Sequence, residues 1–234
     1  MIYEAFNSNG VSVLVTDTDL DQAAHEDGPL SAELAAAAAQ AQRADLVGNL
    51  RRSLDGEDRP RKLAAAKALM ALGDHESGEL LESLAASEHD AVVAKSFRAV
   101  ATRLRGPQAV LDLFLNRDTD PQLARLLVSN YNSYLRPEIG DVRFLVVALR
   151  HYVDRSLPWL ATLRQDLWDN GVFLILDSLT NERAVRLLRE DAHEAERSAL
   201  LRLLVELADH TDDDDIMSDA QNLRATLSGQ TQPP

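Results

Sequence analysis

Residues 58–73 read DRPRKLAAAKALMALG, residues 90–106 read DAVVAKSFRAVATRLRG, and residues 120–136 read DPQLARLLVSNYNSYLR. One pattern is written three times, with starts 32 and 30 residues apart. Each copy opens on an aspartate and continues with apolar residues at helical spacing. Val93, Phe97, Val100 and Leu104 advance by four, three and four. Leu123, Leu127, Tyr131 and Tyr134 advance by four, four and three, and Ala65, Leu69 and Leu72 by four and three. Such steps gather the apolar groups on one side of a helix. An aspartate just before the first turn accepts from free backbone N–H groups and meets the positive end of the helix dipole. Gly73 and Gly106 are stop signals, because glycine tolerates the left-handed conformation in which helices often end. A shorter apolar set follows each stop: Leu80, Leu81 and Leu84, then Val110, Leu111, Phe114 and Leu115. The predicted unit is helix, turn, helix.

The run RKLAAAKALMALGDHESGELLESLAASEHDAVVAKSFRAV, residues 61–100, resembles HEAT repeats of the short kind related to the phycobilisome-lyase type. The matching features are Ala64–Ala66, Ala68, Leu69 and the turn Leu72–Gly73–Asp74. Val92–Val93 stands where that family has a Val-Arg pair. The resemblance covers roughly a third of the chain and fades beyond Leu135. It implies an all-α fold, an α-solenoid of stacked antiparallel helix pairs, whose concave surface binds another macromolecule. It does not imply catalysis.

The remainder is read outward from this centre. Ile2–Tyr3 and Val11–Val15 have β-like composition, with Asn9–Gly10 as a turn signal. They form either a hairpin or an extended arm on the first helix, and the arm is preferred because a lone hairpin is marginal. Residues 16–30 are acidic and polar and read as a loop. Residues 1–30 are therefore taken as an N-terminal arm with an acidic loop, 31–227 as the helical repeat domain and 228–234 as a disordered tail. A helix capped by Ser31 is expected to run through the alanine tract 35–39 and on through Leu46, Leu50 and Leu54. Val142, Leu145, Leu149 and Tyr152 predict a further helix. Pro158 opens the next, with Leu160, Leu163 and Leu167 inward and Asn170–Gly171 as its end. Val172–Leu179 reads as a buried helix. Helices are also expected over 181–190 and 195–208, and 217–228 is read as a last helix or an acidic cap.

Composition narrows function. Of 234 residues 45% are hydrophobic, enough for a substantial core, and there is no cysteine. Disulfides, thiolate metal sites and a cysteine nucleophile are excluded. The N-terminus lacks the basic and apolar regions of a signal peptide, and no run reaches the ~18–20 apolar residues needed to span a bilayer. These features predict a cytoplasmic protein without a membrane span. Net charge is −14, unevenly spread: −8 over 1–58, −1 over 59–89, +4 over 90–165 and −9 over 166–234. Nucleic acid is disfavoured as a partner, because phosphate binding needs a dense basic surface.

Catalytic signatures are not found. There is no glycine-rich phosphate loop, nucleophile elbow or His-Glu-x-x-His pair. His75 with Glu76 and Glu79, His89 with Asp90, and His193 with its acidic neighbours read as turn residues rather than metal ligands. The run Asp212–Asp215 lacks the glycine and terminal glutamate of an EF-hand loop. No cofactor or metal is expected. Trp159 and Trp168 read as core residues on the Pro158 helix.

The most informative polar stretch is Ser129–Tyr134, since asparagine and serine are poor helix-interior residues. It lies in the only net-basic region. The candidate binding residues are Arg98, Arg125, Asn130, Tyr131, Tyr134 and Arg143, because tyrosine and arginine are common interface anchors. The expectation is a non-catalytic scaffold or adaptor that binds a protein partner with an acidic segment. The competing readings are an accessory subunit of a lyase-like enzyme, which only the family resemblance supports, and a self-assembling homo-oligomer.

Overall fold

The computed structural model describes residues 1–6, 11–129 and 137–229. The chain divides into two units, Met1–Gly106 and Pro107–Pro234.

The first unit opens with β1 (Ile2–Phe6) and β2 (Ser12–Thr16), which pair antiparallel with Tyr3 opposite Val15 and Ala5 opposite Val13. The N-terminal segment is thus a hairpin rather than the preferred extended arm on the first helix. It escapes the marginal stability of an isolated hairpin because its inner face is covered: Ala5 and Val15 are buried, and both strands lie against α2 (Ala32–Gln40). The period-2 alternation leaves Ile2, Glu4, Ser12 and Leu14 exposed on the other face.

The expected acidic loop is instead a helix, α1 (Asp17–His25). Thr16 and Asp19 form a reciprocal capping box, and Leu20 and Ala23 are buried three residues apart. That box was the available signal, hidden by the acidic composition around it. Asn49 then secures the end of α1: its Nδ2 donates to the carbonyls of Glu26 (2.7 Å) and Gly28 (2.9 Å).

Ser31 caps α2 as expected, its Oγ accepting from Leu34 N. The helix does not continue to Leu54. It stops at Gln42, whose φ is +55°. Arg43 N donates to Ala38 O and Gln42 N to Ala39 O, the paired bonds of a Schellman end. A 3-10 turn (Ala44–Leu46) and α3 (Val47–Arg52) follow. Leu46, Leu50 and Leu54 are buried nonetheless. Their periodicity was a true sign of burial but not of helix continuity.

The repeated pattern yields α4 (Arg59–Ala71), α5 (Ser77–Ser87) and α6 (Ala91–Leu104). Asp58 accepts from Arg61 N (3.0 Å), and Asp90 from Val92 N and Val93 N (2.8 and 3.2 Å). Gly73 (φ +67°) and Gly106 (φ +108°) end α4 and α6. Helix α4 packs between α2 and α6, and α5 packs on α6.

In the second unit α7 (Pro107–Leu115) leads to α8 (Pro121–Ser129), where Asp120 accepts from Gln122 N and Leu123 N. Helix α9 (Ile139–Asp154) is the hub. Val142, Leu145, Leu149 and Tyr152 are all fully buried, and α9 packs against α7, α11 and α13. The Pro158 helix is a single turn, α10 (Pro158–Ala161), and α11 (Gln165–Leu179) runs uninterrupted through Asn170–Gly171. The expected stop at Gly171 is a packing position instead. A Cβ there would overlap the Tyr152 ring, so the absence of a side chain admits it. Trp159 and Trp168 therefore sit on different helices, both buried. Helices α12 (Glu182–Arg189), α13 (Glu194–Glu206) and α14 (Asp214–Leu227) complete the unit. Asp213, within the acidic run, caps α14 through Asp215 N and Ile216 N.

Candidate protein-binding surface

The six candidate residues fall into three situations. Asn130, Tyr131 and Tyr134 lie outside the described residues. Arg125 and Arg143 are already engaged within the second unit. Arg143 Nε donates to Glu196 Oε1 at 2.6 Å, and that bond holds the Glu196 carboxyl below the usual carboxylate range. Seven residues further along α9, Arg150 meets Glu206 at 2.7 Å. The basic face of α9 thus pairs with acidic positions on α13. Arg125 donates through Nη2 to Asn170 Oδ1, while its buried Nε has no partner among the described residues.

Arg98 differs. It is exposed on α6 and forms no ion pair among the described residues. Arg105, seven positions on, shares its face, and its contact with Glu82 is long, 3.4 Å. Val92 at the start of α6 and Leu80 on α5 are exposed apolar residues, 42% and 39% accessible. The first unit therefore presents basic and apolar groups from one pair of packed helices.

The turns of that pair are rigidly held. Lys62 Nζ on α4 donates to Glu88 Oε2 at 2.6 Å, and Glu88 Oε1 accepts from Asp90 N. Lys62, and secondarily that backbone N–H, depress the Glu88 carboxyl. Arg51 grips both oxygens of Asp74, Nε donating to Oδ2 at 3.0 Å and Nη2 to Oδ1 at 2.7 Å and to Oδ2 at 2.9 Å. His75, one of the turn histidines, is tied through Nδ1 to Leu104 O at 2.6 Å.

The second unit has an open cleft of about 590 Å³ between the start of α11 and the Ala208–Asp213 segment. Its rim carries Asp169, Asp209, Asp212 and Asp213. Part of its polar lining is bonded internally: Asp169 Oδ1 accepts from Gln165 and Thr211, and Thr211 Oγ1 accepts from Asp213 N. Among the described residues no three His, Cys, Asp or Glu side chains converge to hold a metal ion. Among the described residues no helix is long and apolar enough to cross a membrane.

No protein-family model, curated protein or solved structure matches the chain.

Proposed function

We propose that this chain is a non-catalytic protein-binding scaffold built on HEAT-like helix pairs, and that it engages an acidic segment of its partner through the α5–α6 face that carries Arg98. The observation supporting this reading is the side-by-side placement of α2, α4 and α6, with α4 and α6 sharing an aspartate cap and a glycine stop. Equivalent helices in a row present equivalent residues at regular intervals, the arrangement by which repeat proteins make extended binding surfaces. An exposed cation and exposed apolar groups on the same helix pair suit a partner that combines carboxylates with apolar anchors. The proposed place of action is the cytoplasm.

The test is affinity capture from the native host with the wild type and with Arg98→Glu, each at low and at moderate salt. The expected result is a stoichiometric partner, retained by the wild type at low salt and lost both on charge reversal and at moderate salt. A partner bound equally by both proteins would remove Arg98 from the interface. The absence of any partner would remove the scaffold reading itself.

A further inference from the structure

A two-stranded sheet has two outer edges, and in this hairpin they differ. In an antiparallel ladder, alternate residue pairs exchange both backbone bonds, and the pairs between them turn their N–H and C=O groups outward. Asp17 N donates to Met1 O at 3.2 Å, extending the register of the strands. Tyr3–Val15 and Ala5–Val13 are therefore the bonded pairs. The backbone groups of Glu4 point off the outer edge of β1, and those of Ser12 and Leu14 off the outer edge of β2. The β1 edge is occupied, since Gln40 Nε2 on α2 donates to Glu4 O at 2.8 Å. At the end of β2, Thr16 N is taken by Asp19 Oδ2 at 2.8 Å. Between these points the outward groups of Ser12 and Leu14 have no partner among the described residues.

We propose that this edge is a self-association site: β2 pairs antiparallel with β2 of a second copy about a two-fold axis at Val13, joining two hairpins into one four-stranded sheet. The register follows from which groups are free. With Val13 on the axis, Ser12 lies opposite the partner's Leu14, and Leu14 opposite the partner's Ser12. Both become bonded pairs, for about four new backbone hydrogen bonds. The side chains agree with this register. On the solvent face Leu14, 65% exposed, reaches the partner's Leu14 on the diagonal. On the inner face the half-buried Val13 meets the partner's Val13, with the exposed Val11 beside it.

The sequence of the strand favours a second copy. The strand SVLVT carries no charge and no proline, so it lacks the devices that blunt an exposed edge. The nearest carboxylates on the strands are Glu4 and its equivalent, separated by three strand spacings, about 14 Å. That exceeds the ~8 Å screening length at physiological salt. The remaining opposition comes from the net charge of −14. Salt therefore strengthens this contact, whereas it weakens an Arg98–carboxylate contact. Because the patch is small, the dimer is weak and concentration-dependent.

Sedimentation of the full chain from micromolar to near-millimolar concentration tests the proposal. The expected result is a doubling of mass with rising concentration, at lower concentration when salt is added. Leu14→Lys places charges at the diagonal contact, and Ser12→Pro removes an outward donor without touching a backbone bond inside the hairpin, losing there only the exposed side-chain bond from Ser12 Oγ to Glu4 Oε1. Both should remain monomeric with an unchanged helical circular dichroism spectrum. As a readout independent of mutation, the Ser12 and Leu14 amides of the wild type should exchange with solvent at least tenfold more slowly in the dimer than in the monomer. A mass that stays monomeric throughout would overturn the proposal. So would a dimer in which these two amides exchange as freely as in the monomer.

Discussion

Gly171 and Tyr152 show how one missing side chain sets the core of the second unit. Phe114 meets Phe144 and Trp159 edge-on, with ring centroids 5.5 and 5.6 Å apart, and Tyr152 stacks beside it at 6.4 Å. Trp168 Nε1 donates to Tyr152 O at 2.7 Å, fixing α11 to α9 at the same level. Burial pushes the Tyr152 phenol well above its ordinary value, with Arg125 pulling the other way. Its hydroxyl, like Trp159 Nε1, is buried without a hydrogen-bond partner among the described residues. Two opposite outcomes are expected in urea denaturation. Gly171→Ala forces a methyl group into the Tyr152 ring and should cost about 1–3 kcal/mol. Tyr152→Phe removes an unsatisfied hydroxyl and should be neutral or slightly stabilising. A clear loss in Tyr152→Phe would show that the hydroxyl is bonded, most simply to a buried water.

At the scale of elements, each copy of the repeat begins with the same device, and the second copy adds a lock. Asp90 caps α6 through two N–H groups, while Glu88 bonds Asp90 N and receives Lys62 from the neighbouring helix. The Lys62 and Glu88 side chains are only 12% and 13% exposed. Removing the cation strands a poorly solvated carboxylate, so Lys62→Met should cost roughly 1.5–3 kcal/mol. Asp90→Ala should cost about 1–2 kcal/mol through the cap alone. Because both changes loosen one turn, in which Glu88 accepts from both Lys62 and Asp90 N, the double variant should lose less than the sum of the two. Thermal unfolding of the three variants measures this, and strict additivity would mean that the lock is not a single unit.

At the scale of the molecule, each unit buries its own hydrophobic set. In Met1–Gly106 the core runs from Ala5 and Val15 of the hairpin through Leu50, Leu54 and Leu69 to Phe97 and Val100. A domain with its own core folds alone when its boundary cuts few contacts. A fragment ending at Gly106 should therefore keep a helical spectrum and unfold in one cooperative transition. A broad, non-cooperative melt would show that its core is not self-sufficient. Charge is organised at this scale too. The basic positions of α9 that gave the centre its positive balance are spent on α13 in two cases, Arg143 and Arg150.

The sequence by itself determined the helices with strong local signals. Asp58, Asp90 and Asp120 marked helix starts, Gly73 and Gly106 marked ends, and the three-and-four spacing picked out buried residues such as Phe97, Leu127 and Leu149. These signals are legible because caps and stops act within one turn of chain. What pairs with a residue across space was decided only by the tertiary structure. Gly171 looks like a stop but is an accommodation for the Tyr152 ring, nineteen residues away in the last turn of α9. Gln42 ends a helix despite carrying a side chain, with Arg43 beside it anchored to Asp45 and Asp21. Ile2–Thr16 becomes a hairpin because α2 covers one face. The candidate surface divides in the same way. Arg98 and Arg143 are alike as letters in a basic region, yet one is exposed without an ion pair and the other faces Glu196, because helix packing alone brings a carboxylate to only one of them.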